Sequence, residues 1–481
     1  MHAVAGLQSI QQQAAASAQG VGFGRMPNPF DVVAGDFAVT PPMERPVIVV
    51  EGAMPVEAAA LQDPPSAGPS VPSTTLRQAF LDKLPAGSFA GVLELLDGGA
   101  VRLSVETVDQ LVALASSLVD ASDAVGTDHL LLSIALYLRS VVDAGGGWGG
   151  DNDADDVRAA GDSLLAAADA VVAQSDPIVA VAFRLATLLD AKQPRDVHTK
   201  LVERFAGVAE ALRSVGAHGL LYATAGQLLS AETGSFTPVG STLPTRILVV
   251  GNSPVPHDVT VSFVRSGAQV IELAHRSRRP LTEAAVFVAN PRRDRQQASM
   301  DALLLRRTFY PRSTGLGETV EDVDGDGTPE DVRTRLDASM LDLGCGVTAD
   351  GGLELAGPAI LEPAQIVGDS PATAGGLAVL PSVATGALAL TEALLASRFV
   401  GVIRIRDTIP DDVASLLHFL LHAQLVDARS DPASAVAAVH CWLADPHRTS
   451  PDYLPPWYVA RAGDPDLADP AYGHALIHHG V

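Results

Sequence analysis

Between Leu243 and Ala444 the hydrophobic pattern keeps changing period, and this limits the fold more than any other feature of the chain. Short apolar runs of strand length occur at Arg246–Val250, Ala268–Leu273, Ala285–Ala289, Met340–Cys345, Leu377–Val383 and Val400–Ile405. Between them lie segments with apolar residues at helical spacing, notably Ala298–Arg307, Pro329–Leu336 and Ala387–Ala396. Asp411–Leu425 and Ala433–Ala444 follow the last run. Alternation of this kind predicts an α/β fold, a doubly wound sheet with helices on both faces. In such sheets, sites form outside the carboxyl ends of the strands. The residues that close Met340–Cys345 and Leu377–Val383 are therefore the first place to look for chemistry.

The chain upstream reads differently. Val105–Ala121, Thr127–Val142, Val157–Gln174, Pro177–Ala191, Arg195–Val215 and Ala217–Ala231 each carry apolar residues three and four apart, the signature of amphipathic helices. Ser175-Asp176-Pro177 is a helix start, with Asp176 as N-cap and Pro177 at the first helical position. Successive helices of similar length predict an all-α layer, a helical repeat of tetratricopeptide (TPR-like) type or a non-repetitive bundle. Asp143–Asp156, glycine-rich around Trp148 and then acidic, reads as an insertion between helices. Prolines 64, 65, 69 and 72 interrupt any helix before Thr75. Three regions are expected: a low-complexity, disordered arm over 1–75, a helical domain over 76–240, and an α/β domain over 241–481.

Composition narrows the function classes. A net charge of −24 argues against nucleic acid as a partner, since phosphate binding needs a positive stripe. Only Cys345 and Cys441 occur, which excludes a disulfide framework and fits a reducing, cytoplasmic setting. No apolar run reaches the ~18 residues of a membrane span, and Met1–Gly20 lacks the layout of a secretory signal. With 32 Lys+Arg in total and lysine confined to Lys83, Lys192 and Lys200, basic charge is nearly all arginine, a coding bias that fits a GC-rich bacterial genome.

The two strand ends read Leu341-Asp342-Leu343-Gly344-Cys345-Gly346-Val347 and Leu380-Pro381-Ser382-Val383-Ala384-Thr385-Gly386. Together they resemble the paired active-site strands of the CHAT domain, a caspase-like cysteine peptidase fold. In that family the first strand ends L-H-x-A-C-H-G, its second His being the catalytic base. The second strand ends L-S-A-C-x-T-G, its Cys being the nucleophile. Further segments are similar to the actinobacterial variant: Val286-Phe287-Val288-Ala289-Asn290-Pro291 with Asp294, Arg306–Pro311, Gly401–Asp412, Trp442–Pro451, and the tail His478-His479-Gly480. The likeness spans about residues 243–481. It implies a caspase-like sheet whose base position is Gly346 and whose nucleophile position is Val383. Asp342 stands where the family has its first His, and Asp407 where it has a Trp.

A cysteine peptidase needs a thiolate beside a base able to take its proton, and glycine and valine supply neither. Cys345 is the one plausible substitute thiol, yet strand neighbours point to opposite faces and its position in the family is an ordinary core cysteine. Ser382 precedes the nucleophile position and should point the wrong way, with no G-x-S-x-G elbow. His440 and Cys441 are adjacent on a helix, so they diverge, and the pair reads as core packing.

Other constellations carry less. Asp322-x-Asp324-x-Asp326-Gly327 looks like the start of an EF-hand loop, but Arg333 stands where a bidentate carboxylate is needed. Thr328, Pro329 and Asp331 instead spell an N-cap, a first-position proline and an acidic N3. His418 and His422 are one helical turn apart, but with no H-E-x-x-H glutamate and no evident third ligand they read as packing or surface histidines. His474, His478 and His479 are given no role. Arg276, Arg278, Arg279, Arg292, Arg293 and Arg295 form a local basic island, a solvated face or a groove for an acidic peptide or nucleotide.

The expectation is a cytoplasmic bacterial pseudopeptidase: a CHAT frame without its dyad, acting as a regulatory, protein-interaction module. The former substrate cleft would run past Asp342, Cys345, Gly346, Ser382, Val383 and Asp407 and hold a protein or peptide partner by strand addition. No cofactor, metal, nucleic acid or membrane partner is expected. The alternatives are an active cysteine endopeptidase using Cys345, and an unrelated doubly wound domain that binds a nucleotide or calcium.

Overall fold

The computed structural model describes residues 72–84, 87–97, 103–142, 151–239, 243–251, 259–318, 323–367, 374–383, 387–406, 409–469, 472–473 and 475–481. Almost all of the expected N-terminal arm, the Trp148 segment, Asp322, Asp407 and His474 lie outside these residues.

The described chain opens with helices: α1 (Ser73–Asp82), α2 (Phe89–Leu96), α3 (Val105–Val119), α4 (Gly126–Val142), α5 (Asp151–Val172), α6 (Asp176–Lys192), α7 (Val197–Glu203) and α8 (Ala206–Ser214). Their lengths run from 7 to 22 residues, which gives no repeat period. The expected helix Arg195–Val215 is thus two, broken at Arg204–Phe205. Local chemistry sets the starts: the Ser104 hydroxyl accepts from Thr107 N at 3.1 Å and caps α3. Asp176 does not cap its own helix. Its Oδ2 accepts from Thr224 N at 2.6 Å instead, tying the start of α6 to the sheet.

The expected helix Ala217–Ala231 is a β-hairpin. Strands β1 (Gly219–Tyr222) and β2 (Gln227–Ser230) pair antiparallel about a turn with Gly226 at φ +59°. Leu-Leu pairs at both ends satisfy helical and strand spacing alike, and the glycine in the left-handed region decides for the hairpin. The chain then forms β3 (Phe236–Pro238), β4 (Arg246–Val250), β5 (Thr260–Val264), α9 (Gly267–Ala274), β6 (Ser277–Arg278), β7 (Ala285–Ala289), α10 (Gln296–Thr308), β8 (Thr314–Gly317) and β9 (Val323–Gly325). The expected strand Ala268–Leu273 is α9, whose Ser266 cap accepts from Gln269 N at 3.3 Å. A six-residue segment with apolar residues at 268, 270, 271 and 273 fits either period, and the cap settles it. Next come α11 (Pro329–Arg333), β10 (Met340–Gly344), β11 (Gly346–Val347), β12 (Leu353–Glu354), β13 (Ile360–Leu361), α12 (Pro363–Ile366), β14 (Ala374–Val383), α13 (Ala387–Ser397), β15 (Phe399–Arg406), α14 (Asp411–Val426), α15 (Pro432–Ala444), α16 (Pro456–Ala462) and β16 (Leu476–Gly480). The Thr328–Asp331 capping box that opens α11 is formed in both directions, as its sequence predicts.

The fold is α/β, built on a mixed sheet of thirteen described strands ordered β3-β2-β1-β4-β5-β16-β15-β14-β10-β7-β8-β9, with β6 paired to the start of β14. Strands β15, β14, β10, β7, β8 and β9 run parallel. β16 is antiparallel to β15 but parallel to β5, so β1, β4, β5 and β16 form a second parallel block of opposite direction. The central strands are buried on both faces, hence their continuous apolar runs.

Strict alternation sorts their side chains between two layers. Val286, Val288, Leu341, Leu343, Cys345, Ala378, Leu380, Val400 and Val402 join the core under α9, α11, α13 and the N-terminal helices. Phe287, Met340, Leu377, Val379, Ile403 and Ile405 face α10, α14, α15 and α16. The first core is continuous from Phe80 to Val481, so the helical layer covers one face of the sheet. An aromatic cluster secures its edge: Phe183, Phe205, Tyr222 and Phe236 stack with ring centroids 4.5 to 6.0 Å apart.

Candidate functional site

β7 leads to β8 on one side and, by way of β9, to β10 on the other. The crevice outside the carboxyl ends of β7 and β10 is therefore a topological switch point. β14 lies on the far side of β10, parallel and in register from Met340↔Leu377 to Asp342↔Val379. The two strand ends singled out in the sequence are thus neighbours on one edge.

Beyond Gly344 the first strand turns into β11 and a small three-stranded sheet, where Gly346 pairs with Glu354. A Cβ built on Gly346 would meet Glu354 Oε2 at 2.0 Å. The space a side chain at Gly346 would need is thus occupied by the Glu354 carboxylate. Arg292, in the loop after β7, holds that carboxylate with an ion pair of 2.8 Å. On the other strand, the β14 backbone shifts register between Leu380 and Val383, and Val383 pairs with Arg406. The side chains of Ser382 and Val383 lie outside the described residues.

Cys345 falls on the opposite face from Asp342 and is 2% exposed. Burial pushes its thiol up to about 12, and the charged groups acting on it are Arg295, Asp342, Glu354 and Arg292, with no histidine among them. At pH 7 a thiol of that pKa is ionised in roughly one molecule in 10⁵. It lacks both the base and the access that a nucleophile requires. Cys441, expected in packing, is exposed on α15. A hydrogen-bonded serine–histidine pair does occur, Ser262 with His478 at 2.7 Å, but it joins β5 to β16 and is buried, away from these strand ends.

Asp342, expected to line a cleft, is 3% exposed and points the other way, toward α14. His418 and His422 meet it there. His418 Nε2 is 2.6 Å and His422 Nε2 3.4 Å from the same Asp342 oxygen, and Tyr310 Oη is 2.8 Å from His422 Nδ1. Helical i, i+4 spacing puts both rings on one face, centroids 4.8 Å apart. Burial alone would raise the Asp342 carboxyl, but the His418 charge and the imidazole hydrogen bonds outweigh it and hold the group low, at about 2. Burial lowers His418 most strongly of any single cause, yet the Asp342 charge, the hydrogen bond to it and the nearby Asp301 charge together outweigh this and its pKa is raised. His422, desolvated and beside the His418 charge, is pushed down to about 4. The cluster is therefore an ion pair with a neutral imidazole alongside. Asp301, bonded to Ser415 at 2.6 Å and Tyr458 at 3.1 Å, borders the same small gap as His418. The i, i+4 histidines were visible in the sequence. Their third member is 76 residues upstream, and only the sheet brings it to them.

The basic island divides. Arg276 is buried and donates to the carbonyls of Leu395 and Phe399 at 2.6 and 2.9 Å, a structural staple. Arg278 and Arg279 accompany β6 at the amino end of β14, whereas Arg292, Arg293 and Arg295 follow β7 at the carboxyl edge. Of the acidic loop, Asp324 accepts from Gly315 N at 3.0 Å, and Asp331 is spent on its capping box. No helix among the described residues is long and apolar enough to cross a membrane. No protein-family model matches the chain, and no curated protein matches it.

Proposed function

We propose that the chain is a pseudopeptidase of the CHAT type, a caspase-like frame used as a protein-interaction module in the bacterial cytoplasm. One observation carries this reading: where the family resemblance calls for an imidazole, the Glu354 carboxylate fills the space, clamped by Arg292. An ion pair at the base position stabilises the β11–β12 turn but takes no proton from a thiol. The adjacent, parallel β10 and β14 keep the two strand ends side by side, as the frame requires. The crevice then offers a part-exposed Glu–Arg pair to an extended peptide, whose strand addition would have to use the short β11–β13 sheet beside it. The N-terminal helices, packed on the opposite layer from α14, supply further surface for a partner or a signal.

The test has two arms. Full-length protein incubated with a complex peptide mixture should release no products beyond those of a Cys345→Ala control. Cleavage that this substitution abolishes would restore the peptidase reading. Labelled protein on a random-peptide array should retain extended sequences, and Glu354→Trp, which fills the edge, should weaken retention at least tenfold. An array with no sequence preference, or one indifferent to Glu354→Trp, would remove the module from this edge.

A further inference from the structure

We propose that Asp342, His418 and His422 form a site for a divalent transition-metal ion of zinc type. The inference stands apart from the function proposed above, because the cluster lies on the opposite face of β10 from Cys345. One ligand atom from each residue can be chosen such that all three lie within 4.8 Å of one another, and all three residues are buried. Two imidazoles and one carboxylate are a donor set for zinc and related ions, with a coordination position left open.

The distances fit. With metal–ligand bonds near 2.0–2.1 Å, tetrahedral donors sit about 3.3 Å apart. His422 Nε2 is already 3.4 Å from Asp342 Oδ2, and the 2.6 Å contact of His418 Nε2 has to open by only about 0.7 Å. The second observation is independent of this spacing. His422 Nε2 makes no well-formed hydrogen bond although the side chain is fully buried: it faces the Asp342 carboxylate at 3.4 Å, outside good hydrogen-bond geometry. Its other nitrogen is engaged by Tyr310 at 2.8 Å, the outer-shell contact that orients a ligating histidine. A simple buried ion pair would need only Asp342 and His418. It leaves the expensive burial of a second imidazole unexplained, since an unsatisfied buried polar group costs about 1–3 kcal/mol. The apolar surroundings, with Phe287, Phe309 and Phe419 in the same core, would strengthen a charged centre once formed.

The experiment uses the untagged full-length chain. Protein from zinc-supplemented cells should contain stoichiometric zinc by elemental analysis, and chelated protein should take up Co2+ with the visible absorption of a tetrahedral nitrogen–oxygen site. Asp342→Asn and His422→Gln should each abolish that spectrum, and Tyr310→Phe should weaken zinc binding about tenfold. If the ligand variants fail to fold, the wild-type thermal midpoint decides: it should fall with chelator and recover with Zn2+. Wild-type protein that takes up neither metal and shows no such shift would overturn the site, as would full metal binding by folded Asp342→Asn.

Discussion

At the scale of single residues, the candidate edge is defined by what occupies space rather than by what reacts. Cys345 is enclosed and its thiol held up to about 12, whereas Cys441 is exposed. Brief alkylation of the native protein followed by peptide mass mapping should therefore modify Cys441 alone, with Cys345 reacting only after denaturation. Rapid native labelling of Cys345 would contradict its burial. Gly346 makes the complementary case. Introducing an imidazole by Gly346→His pushes the end of the flexible Glu354 side chain aside and loosens its part-exposed ion pair with Arg292, a cost of about 1 kcal/mol. Urea unfolding should show that loss, and Glu354→Ala in the same chain should recover most of it. Equal destabilisation with and without Glu354 would mean that the carboxylate is not the obstacle.

At the scale of elements, the close approach of β10 and β14 depends on a glycine. A Cβ at Gly376 would meet Ala338 O at 2.2 Å and Ser339 O at 2.9 Å, both backbone atoms that cannot swing aside. Gly376→Val should cost about 3 kcal/mol or more, read as a lowered denaturation midpoint or as insoluble expression. Element type was legible wherever length and caps agreed with the pattern. α14 is predicted as a helix from its apolar spacing, and it is buried over Val413–Leu425. It was not legible in α9 or in β1 and β2, where segments this short satisfy both periods. β8 and β16 were missed because Thr-Gly-Leu-Gly and a His-His tail do not look like strands, and pairing with neighbours makes them so.

For the whole molecule, the join between the two parallel blocks governs the response to acid. β16 bridges them and carries His478 and His479, both pushed down to about 3 by burial first, then by neighbouring charges. A base whose folded pKa lies below its unfolded value of about 6.5 contributes stability above pH 6.5 that is lost as pH falls toward the folded value. Each contributes a slope of up to ~1.4 kcal/mol per pH unit. His418, with a raised pKa, works the other way, and His422 works with the pair on β16. Stability should therefore decline between about pH 6.5 and 4, and His479→Phe should flatten the decline by about one proton's worth. Denaturant midpoints at several pH values measure both, and a pH-independent wild type would count against neutral burial of these rings.

The chain's own pattern determined the α/β class, the candidate strands β10 and β14 and the α11 capping box. These are local properties, fixed by period, cap chemistry and residue type. Tertiary structure alone decided that Asp342 turns away from the edge to join His418 and His422, that Glu354 fills the space at Gly346, and that the arginine island splits between two edges of the sheet. Each of those depends on which face a strand presents and on which distant segment the sheet order places against it, and neither is encoded in spacing along the chain.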